Sequence, residues 1–235
     1  MTDEVEPSKA VAVMTQALEW AYERAAAAIP ELGLDSAVDL AESHLKSCGG
    51  NREQAIDELT TWQLGYAGAV GFASNVGGII TMPVAVPVNV ASVLLIQLRM
   101  IAAIAHLRGY SVEDERVKTL AFICLTGSGA ATLLQEFGIS LGTKLSTRLI
   151  MQISGATLVK INQAVGFRLV TKAGTTGLIN LTKFVPFVGG LVGGAFDAAV
   201  TRGISAVARE VFKPIHDDAS TDPTVMPEAL LLGPV

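Results

Sequence analysis

The sequence predicts an all-α fold: a single multi-helix domain with a glycine-rich apolar helical hairpin and a disordered C-terminal tail. Three observations predict it. Apolar residues recur at three- and four-residue steps over most of the chain, the spacing that lines one face of a helix. Glycine and proline stand between those stretches as breakers. No segment alternates polar and apolar residues in the manner of a half-buried strand.

Val11, Met14, Leu18, Ala21 and Ala25 place a first helix over about 8–29, stopped by Pro30. Asp35 is expected to cap the next, which carries Val38, Ala41 and Leu45 to a break at Cys48, Gly49 and Gly50. Asn51, with Gln54 in capping-box position, opens a third helix through Ile56, Leu59 and Trp62. That helix runs into GYAGAVGFASNVGG, and between Glu58 and Arg99 there is no charged side chain. Gly77, Gly78, Pro83 and Pro87 divide this stretch into the two arms of a hairpin. Two membrane spans are one reading of it. The first arm is rich in Gly, Ala, Ser and Asn, which let backbones approach closely, so a buried or interfacial hairpin fits better. Beyond the turn, one helix is expected from Val88 to Leu107, ending at Arg108, Gly109 and Tyr110, and another, begun by Ser111 followed by Asp114, through Val117, Leu120, Cys124 and Leu133 to about Phe137. The periodicity predicts further helices near 140–154, 156–172, 176–183 and 186–213, with Pro186 in the first turn and Pro214 as the stop. Three regions follow: N-terminal helices over 1–58, the helical domain over 59–213, and an acidic and apolar tail over 214–235.

Half of the 235 residues are hydrophobic, 17% are charged and the mean hydropathy is +0.47. An ordinary soluble domain carries about 25% charged residues, so lipid contact is a live expectation. Charge is also unevenly distributed. Residues 1–98 hold 12 acidic and 4 basic side chains, residues 99–213 hold 6 and 13, and the tail holds 4 and none. Lys144, Arg148, Lys160, Arg168, Lys172 and Lys183 all fall between Glu136 and Asp197 with no carboxylate among them. Lys144 with Arg148, and Arg168 with Lys172, put like charges one turn apart, an arrangement suited to an anionic surface. The aromatic interleaving and dense arginine of a nucleic-acid binder are missing.

No catalytic set emerges. GISLGTKLS, at 138–146, lacks the glycine–lysine order and the preceding strand of a phosphate loop. Gly127-Ser128-Gly129 lacks the context of a nucleophile elbow. His44, His106 and His216 are scattered, and Cys48 and Cys124 have no metal-site spacing, so neither a metal nor another cofactor is expected. The polar start MTDEVEPSKA does not read as a secretory signal, and the unpaired cysteines suit a reducing cytoplasm. Gly189, Gly190, Gly193 and Gly194 repeat at four-residue steps as a smooth helix face, and Asp197 one turn later is expected to be semi-buried beside Arg202 or another cation. Asn89, Arg99, Asp197 and Arg202 are the candidate structural polar residues.

Three segments, GYAGAVGFASNVGGIITMPVAVPVNVASVLLIQLRMIAAIAHLRGY, INQAVGFRLVTKAGTTGLINLTKFVPFVGG and LVGGAFDAAVTRGISAVAREVF, together resemble the EcsC protein family over about 59–212. The family pattern often carries an aspartate where this chain has Asn89. The family is named for a protein encoded beside a bacterial ABC transporter and has no established activity. The resemblance therefore implies a fold and a neighbourhood, with no catalytic residues to transfer.

These readings converge on a non-enzymatic, amphitropic protein at the inner face of a bacterial cytoplasmic membrane. Its partner would be anionic phospholipid or a membrane protein, met through the six cations and the hairpin. An alternative is a soluble binding protein or enzyme that holds a lipid or fatty acid in an internal apolar pocket. The tail, ending PEALLLGPV, could dock on a partner or fold back on its own domain.

Overall fold

In a computed structural model of the chain, residues 7–30, 33–69, 88–139, 152–172 and 190–215 are described. The first helix, α1 (Pro7–Ala26), ends three residues before the expected boundary, and Ile29 and Leu34 pair backbones across the following turn. The second, α2 (Ala37–Ser47), is capped by Ser36 rather than Asp35: the Ser36 hydroxyl accepts the Asp39 amide at 3.0 Å. Asp35 instead offers its carbonyl to the Arg99 Nε at 2.9 Å. Asn51 does cap α3 (Arg52–Ala69) by accepting the Gln54 amide, while the Gln54 side chain reaches forward to Glu58.

The fourth helix, α4 (Val88–Leu107), has the expected boundaries. The single helix expected from Ser111 and Asp114 to about Phe137 is two, α5 (Glu115–Cys124), capped by Asp114, and α6 (Ala130–Glu136), joined by a short 3-10 turn at Gly127–Gly129 and bent by 120°. Gly127 sits at φ +60°, a left-handed conformation that costs glycine little, and the Thr126 amide and hydroxyl both donate to the Ile123 carbonyl. After α7 (Gly155–Lys172) comes α8 (Gly190–Val211). The helices expected near 140–154 and 176–183, the turn at Gly77 and Gly78, and the tail lie outside the described residues, apart from 152–154 before α7 and 214–215 after α8. Among the described residues the only strand-like feature is the Ile29–Leu34 bridge.

The core is built around α4, which packs against α1, α2, α3, α5 and α8. From Val90 to Leu107 its apolar residues are buried on every side except at the partly buried Val93; Leu98, Met100, Ile101 and Ile104 have no exposed surface. Each such side chain contributes about 1.5–3 kcal/mol relative to an exposed one. The Val90–Leu107 stretch is long and apolar enough to cross a bilayer, yet 89% of it is buried inside the protein, as expected of a central core helix.

Side-chain pairings set the helix directions. Arg108 pairs with Glu53 and Gln63 reaches the Ile96 carbonyl, so α3 and α4 are antiparallel. Arg209 pairs with Asp57 and Ser205 with Thr60, so α8 is antiparallel to α3 as well. Tyr22, near the end of α1, bonds the Val112 carbonyl just past α4, and Asn162 of α7 bonds Glu19 while Gly166 meets Val11 and Thr15. Hence α7 runs against α1 and finishes at the pole where α4 begins. Both the 70–87 and the 173–189 segments leave and re-enter the described body at that pole.

The α1–α7 contact depends on a missing side chain. A Cβ on Gly166 would stand 2.9 Å from the Thr15 Oγ1 and 3.3 Å from the Val11 carbonyl oxygen, and the Thr15 hydroxyl is itself held by that carbonyl at 2.9 Å. Gly166→Ala is expected to cost about 1–3 kcal/mol by forcing the helices apart. Adding Thr15→Ala should recover part of the loss in urea unfolding. Additive effects of the two substitutions would show that the clash is not what matters.

Candidate functional site

The junction of α3, α4 and α8 carries polar groups in an otherwise apolar interior. Thr201, Ser205 and Arg209 follow one another at four-residue steps, so they form one row along α8. The row meets α3 and α4 at three levels. At the outer level Arg209 bonds Asp57 and lies 3.5 Å from Glu53, whose carboxylate also takes a two-pronged contact from the buried Arg108. One turn inward, the Ser205 and Thr60 hydroxyls meet at 2.8 Å, and Thr60 donates to the Ile56 carbonyl at 2.7 Å. Innermost, the Gln97 amide nitrogen donates to the Thr201 hydroxyl at 2.9 Å and the Gln63 amide nitrogen to the Ile96 carbonyl at 3.1 Å.

Hydrogen-bond supply and demand do not balance there. Gln63 is 1% exposed and Gln97 9%, and the amide oxygen of each has no partner. An unmatched buried acceptor costs about 1–3 kcal/mol, so both amide oxygens at the innermost level would gain from a donor, while the Arg108 Nε at the outer level is a donor without a partner.

A second junction joins α1, α5 and α7. Lys118 lies 2.7 Å from both Glu19 and Glu115, and Asn162 donates to Glu19 at 3.4 Å. Burial alone would pull the Lys118 pKa down, but its bonds to Glu115 and Glu19 outweigh that and hold it above the ordinary value. A lysine so held is a fixed cation rather than a nucleophile. Burial likewise pushes the Cys48 and Cys124 thiols up, so neither is activated. His44, edge-on to Trp62, is lowered, chiefly by burial. Among the described residues no three of His, Cys, Asp and Glu are grouped to hold a metal.

The outward side of α7 is the third feature. Val159, Lys160, Gln163, Phe167 and Thr171 are all exposed, with Val159 at 56% and Phe167 at 51%.

A profile of the EcsC protein family matches residues 2–214. The chain belongs to the EcsC protein family. No curated protein and no solved structure matches it. The EcsC match takes in α1 and α2 as well as the 59–212 region where the likeness is plainest by eye, consistent with the packing of both helices on α4.

Within this EcsC fold the sequence-predicted residues are dispersed. Lys160 is exposed on α7. Arg168, one helical turn before Lys172, is already engaged: its guanidinium pairs with Glu136 and donates to the Gly129 carbonyl at 3.1 Å. The Glu136 carboxylate that ends the basic run in sequence is thus folded back onto it. Lys172 is the last residue of α7, while Lys144, Arg148 and Lys183 lie outside the described residues. Asn89 is in the first turn of α4, and Arg99 is buried against the Asp35 carbonyl. Asp197 falls in α8, and Arg202 is exposed on the same helix.

Sequence reasoning missed Thr60, Gln63 and Gln97 because it treated the Glu58–Arg99 stretch as apolar alone. The available signal was the four-residue row on α8, whose polar face needs polar partners if it turns inward.

Proposed function

We propose that this EcsC protein is an amphitropic, non-enzymatic protein that docks through the α4-start pole and the outward face of α7 onto anionic phospholipid at the inner face of the cytoplasmic membrane. The observation that carries the reading is the α7 face. Two large apolar side chains, Val159 and Phe167, stand in water beside Lys160, on a helix whose own sequence has no carboxylate. An interfacial helix has this composition: apolar groups to enter the acyl boundary and cations to meet phosphate. The pole adds to it. The 70–87 segment is uncharged, and the 173–189 segment carries Lys183 alone. A peripheral mode is favoured over a spanning one because α4, the apolar helix long enough to cross, is occupied as the core.

The test is co-sedimentation of the purified chain with phosphatidylcholine vesicles and with vesicles containing phosphatidylglycerol. Binding is expected only to the anionic set and is expected to weaken with salt. Phe167→Asp with Lys160→Glu should lower it by at least about tenfold, since each cation at the surface contributes about 1 kcal/mol and an acid on the apolar face adds its own penalty. Reversal of Lys144, Arg148 and Lys172 to glutamate should act in the same direction. Arg168 is omitted because its loss also breaks the Glu136 pair. Absence of binding to both vesicle types, or binding indifferent to the α7 substitutions, would exclude the reading.

A further inference from the structure

We propose that the seam between α3, α4 and α8 is a binding site for the head group of a neutral, hydroxyl-bearing amphiphile such as a monoglyceride, received by the amide oxygens of Gln63 and Gln97. Neither amide oxygen has a protein partner, and both side chains are at least nine-tenths buried. The two are neighbours through α4: the Gln63 amide is fastened at Ile96, the residue beside Gln97, and Gln97 is in turn fastened to Thr201. Each amide nitrogen already donates one hydrogen bond inside the protein, whereas each amide oxygen has none, so the acceptors are what the two side chains offer a ligand. A hydroxyl can donate to them; a carboxylate or phosphate presents only acceptors of its own and is repelled. The surrounding side chains of the seam, Thr60, Ser205 and Thr201, are neutral, so no cation is present among them to hold an anionic head.

The apolar part of the ligand follows from what lies beyond the seam. Towards the pole, α3 continues from Gln63 to Ala69 and α4 reaches back from Gln97 to Val88 without a charged residue. A polar head fixed at Gln63 and Gln97 therefore has uncharged stretches of α3 and α4 on the side towards the pole, where the sequence of α8 contributes one carboxylate, Asp197. Binding here needs no bilayer, and it is separate from the contact made by α7.

The experiment uses the full chain and three soluble probes below their micelle-forming concentrations: 1-decanoylglycerol, methyl decanoate and sodium decanoate. They share the acyl chain and differ in whether the head donates, accepts or carries charge. Calorimetry and native mass spectrometry should show saturable one-to-one binding of the glyceride, at least about tenfold tighter than either comparator, because a site built to hydrogen-bond a hydroxyl discriminates against an analogue lacking it. Gln63→Met with Gln97→Met, which keeps size and removes both acceptors, should abolish that preference. No saturable glyceride binding, equal binding of glyceride and methyl ester, or a preference that survives in the double variant would overturn the site. An ordered water at the seam in place of a lipid head gives the second of these results. If the double variant does not fold, the ranking of the three probes on the unaltered chain decides.

Discussion

Replacing Phe212 by alanine is expected to lower the unfolding free energy by about 3–5 kcal/mol and the Tm by roughly 10 °C. Phe212 follows the last turn of α8 and has no exposed surface. Its ring stands edge-on to Tyr110 at 5.2 Å, and the Tyr110 hydroxyl bonds the Lys213 carbonyl one residue further on. The Ile215 amide then bonds the Arg108 carbonyl at the end of α4. Truncating the ring removes its burial and the aromatic pair, and leaves a cavity at the point where three hydrogen-bonding or stacking contacts close the chain. The loss should be large because the other apolar side chains that α8 is seen to bury, Ile204, Ala208 and Val211, are smaller and stand beside the polar row of Thr201, Ser205 and Arg209. Exchange of a buried hydroxyl pair or a half-exposed ion pair for water contributes little net stability, about 1 kcal/mol each. Thermal unfolding followed by circular dichroism is the measurement, with Phe167→Ala as the comparison. Phe167 is half exposed and should cost under about 1 kcal/mol. Equal effects of the two would mean that α8 is not anchored at Phe212.

Much of the fold was legible because α4 announces itself. An uninterrupted apolar helix with a cation and a glycine at its end has one ordinary place in an α-helical protein, the centre, and its boundaries came out as expected. Shorter-range signals served less evenly. Ser36 displaced Asp35 as a cap because an N-cap is chosen by which oxygen reaches the third amide of the helix, here that of Asp39, and neighbouring Asp and Ser satisfy the same composition rule. The bend at Gly127 was invisible for a related reason: apolar spacing continues through it, and a glycine in a helical pattern is read as tolerated unless its φ is known.

Charge was the least legible property. A run of six cations without an acid is a fact about sequence neighbours, whereas Arg168 finds Glu136 and Lys118 finds Glu19 across helix contacts. Arg108 and Arg209 both converge on Glu53, which stands 55 and 156 residues away along the chain. Ion pairing is a property of the packed helices, and only their directions, fixed by α4, α1 and α3, bring these partners together. The same holds for Gln63 and Gln97. Each looks incidental in an apolar arm until the helix crossings set Gln63 against α4 and Gln97 against the α8 row.

Alkaline pH is expected to unfold the chain well before its acidic surplus would suggest, with stability level to about pH 8.5 and falling steeply above pH 9. Three groups carry most of the effect, and the raised Cys48 thiol adds to it in the same direction. Burial raises Cys124 above its ordinary 9.0, burial assisted by the nearby Glu115 and Asp114 raises Tyr22 above 10.0, and Lys118 is raised above 10.5 by its two carboxylates working against burial. A raised pKa means that the folded chain keeps a proton the unfolded chain has lost. The unfolded state then binds fewer protons, and stability falls as pH rises. The contribution of each group is whole below its unfolded pKa and disappears as pH climbs toward the folded one. Each buried group in its window costs about 1.4 kcal/mol per pH unit. Between pH 9 and 11 the Cys124 thiol has two such units and the Tyr22 phenol one, about 4 kcal/mol together, a large share of the 5–15 kcal/mol typical of a domain. Lys118 steepens the fall above pH 10.5. Urea midpoints measured at pH 7, 9, 10 and 11 read this directly. Cys124→Ala should cost some stability at every pH through its lost packing, yet remove most of the decline between pH 9 and 10, leaving the share of Cys48. A midpoint unchanged to pH 11, or an undiminished early decline in the alanine variant, would show that Cys124 is not shielded from water in the folded protein.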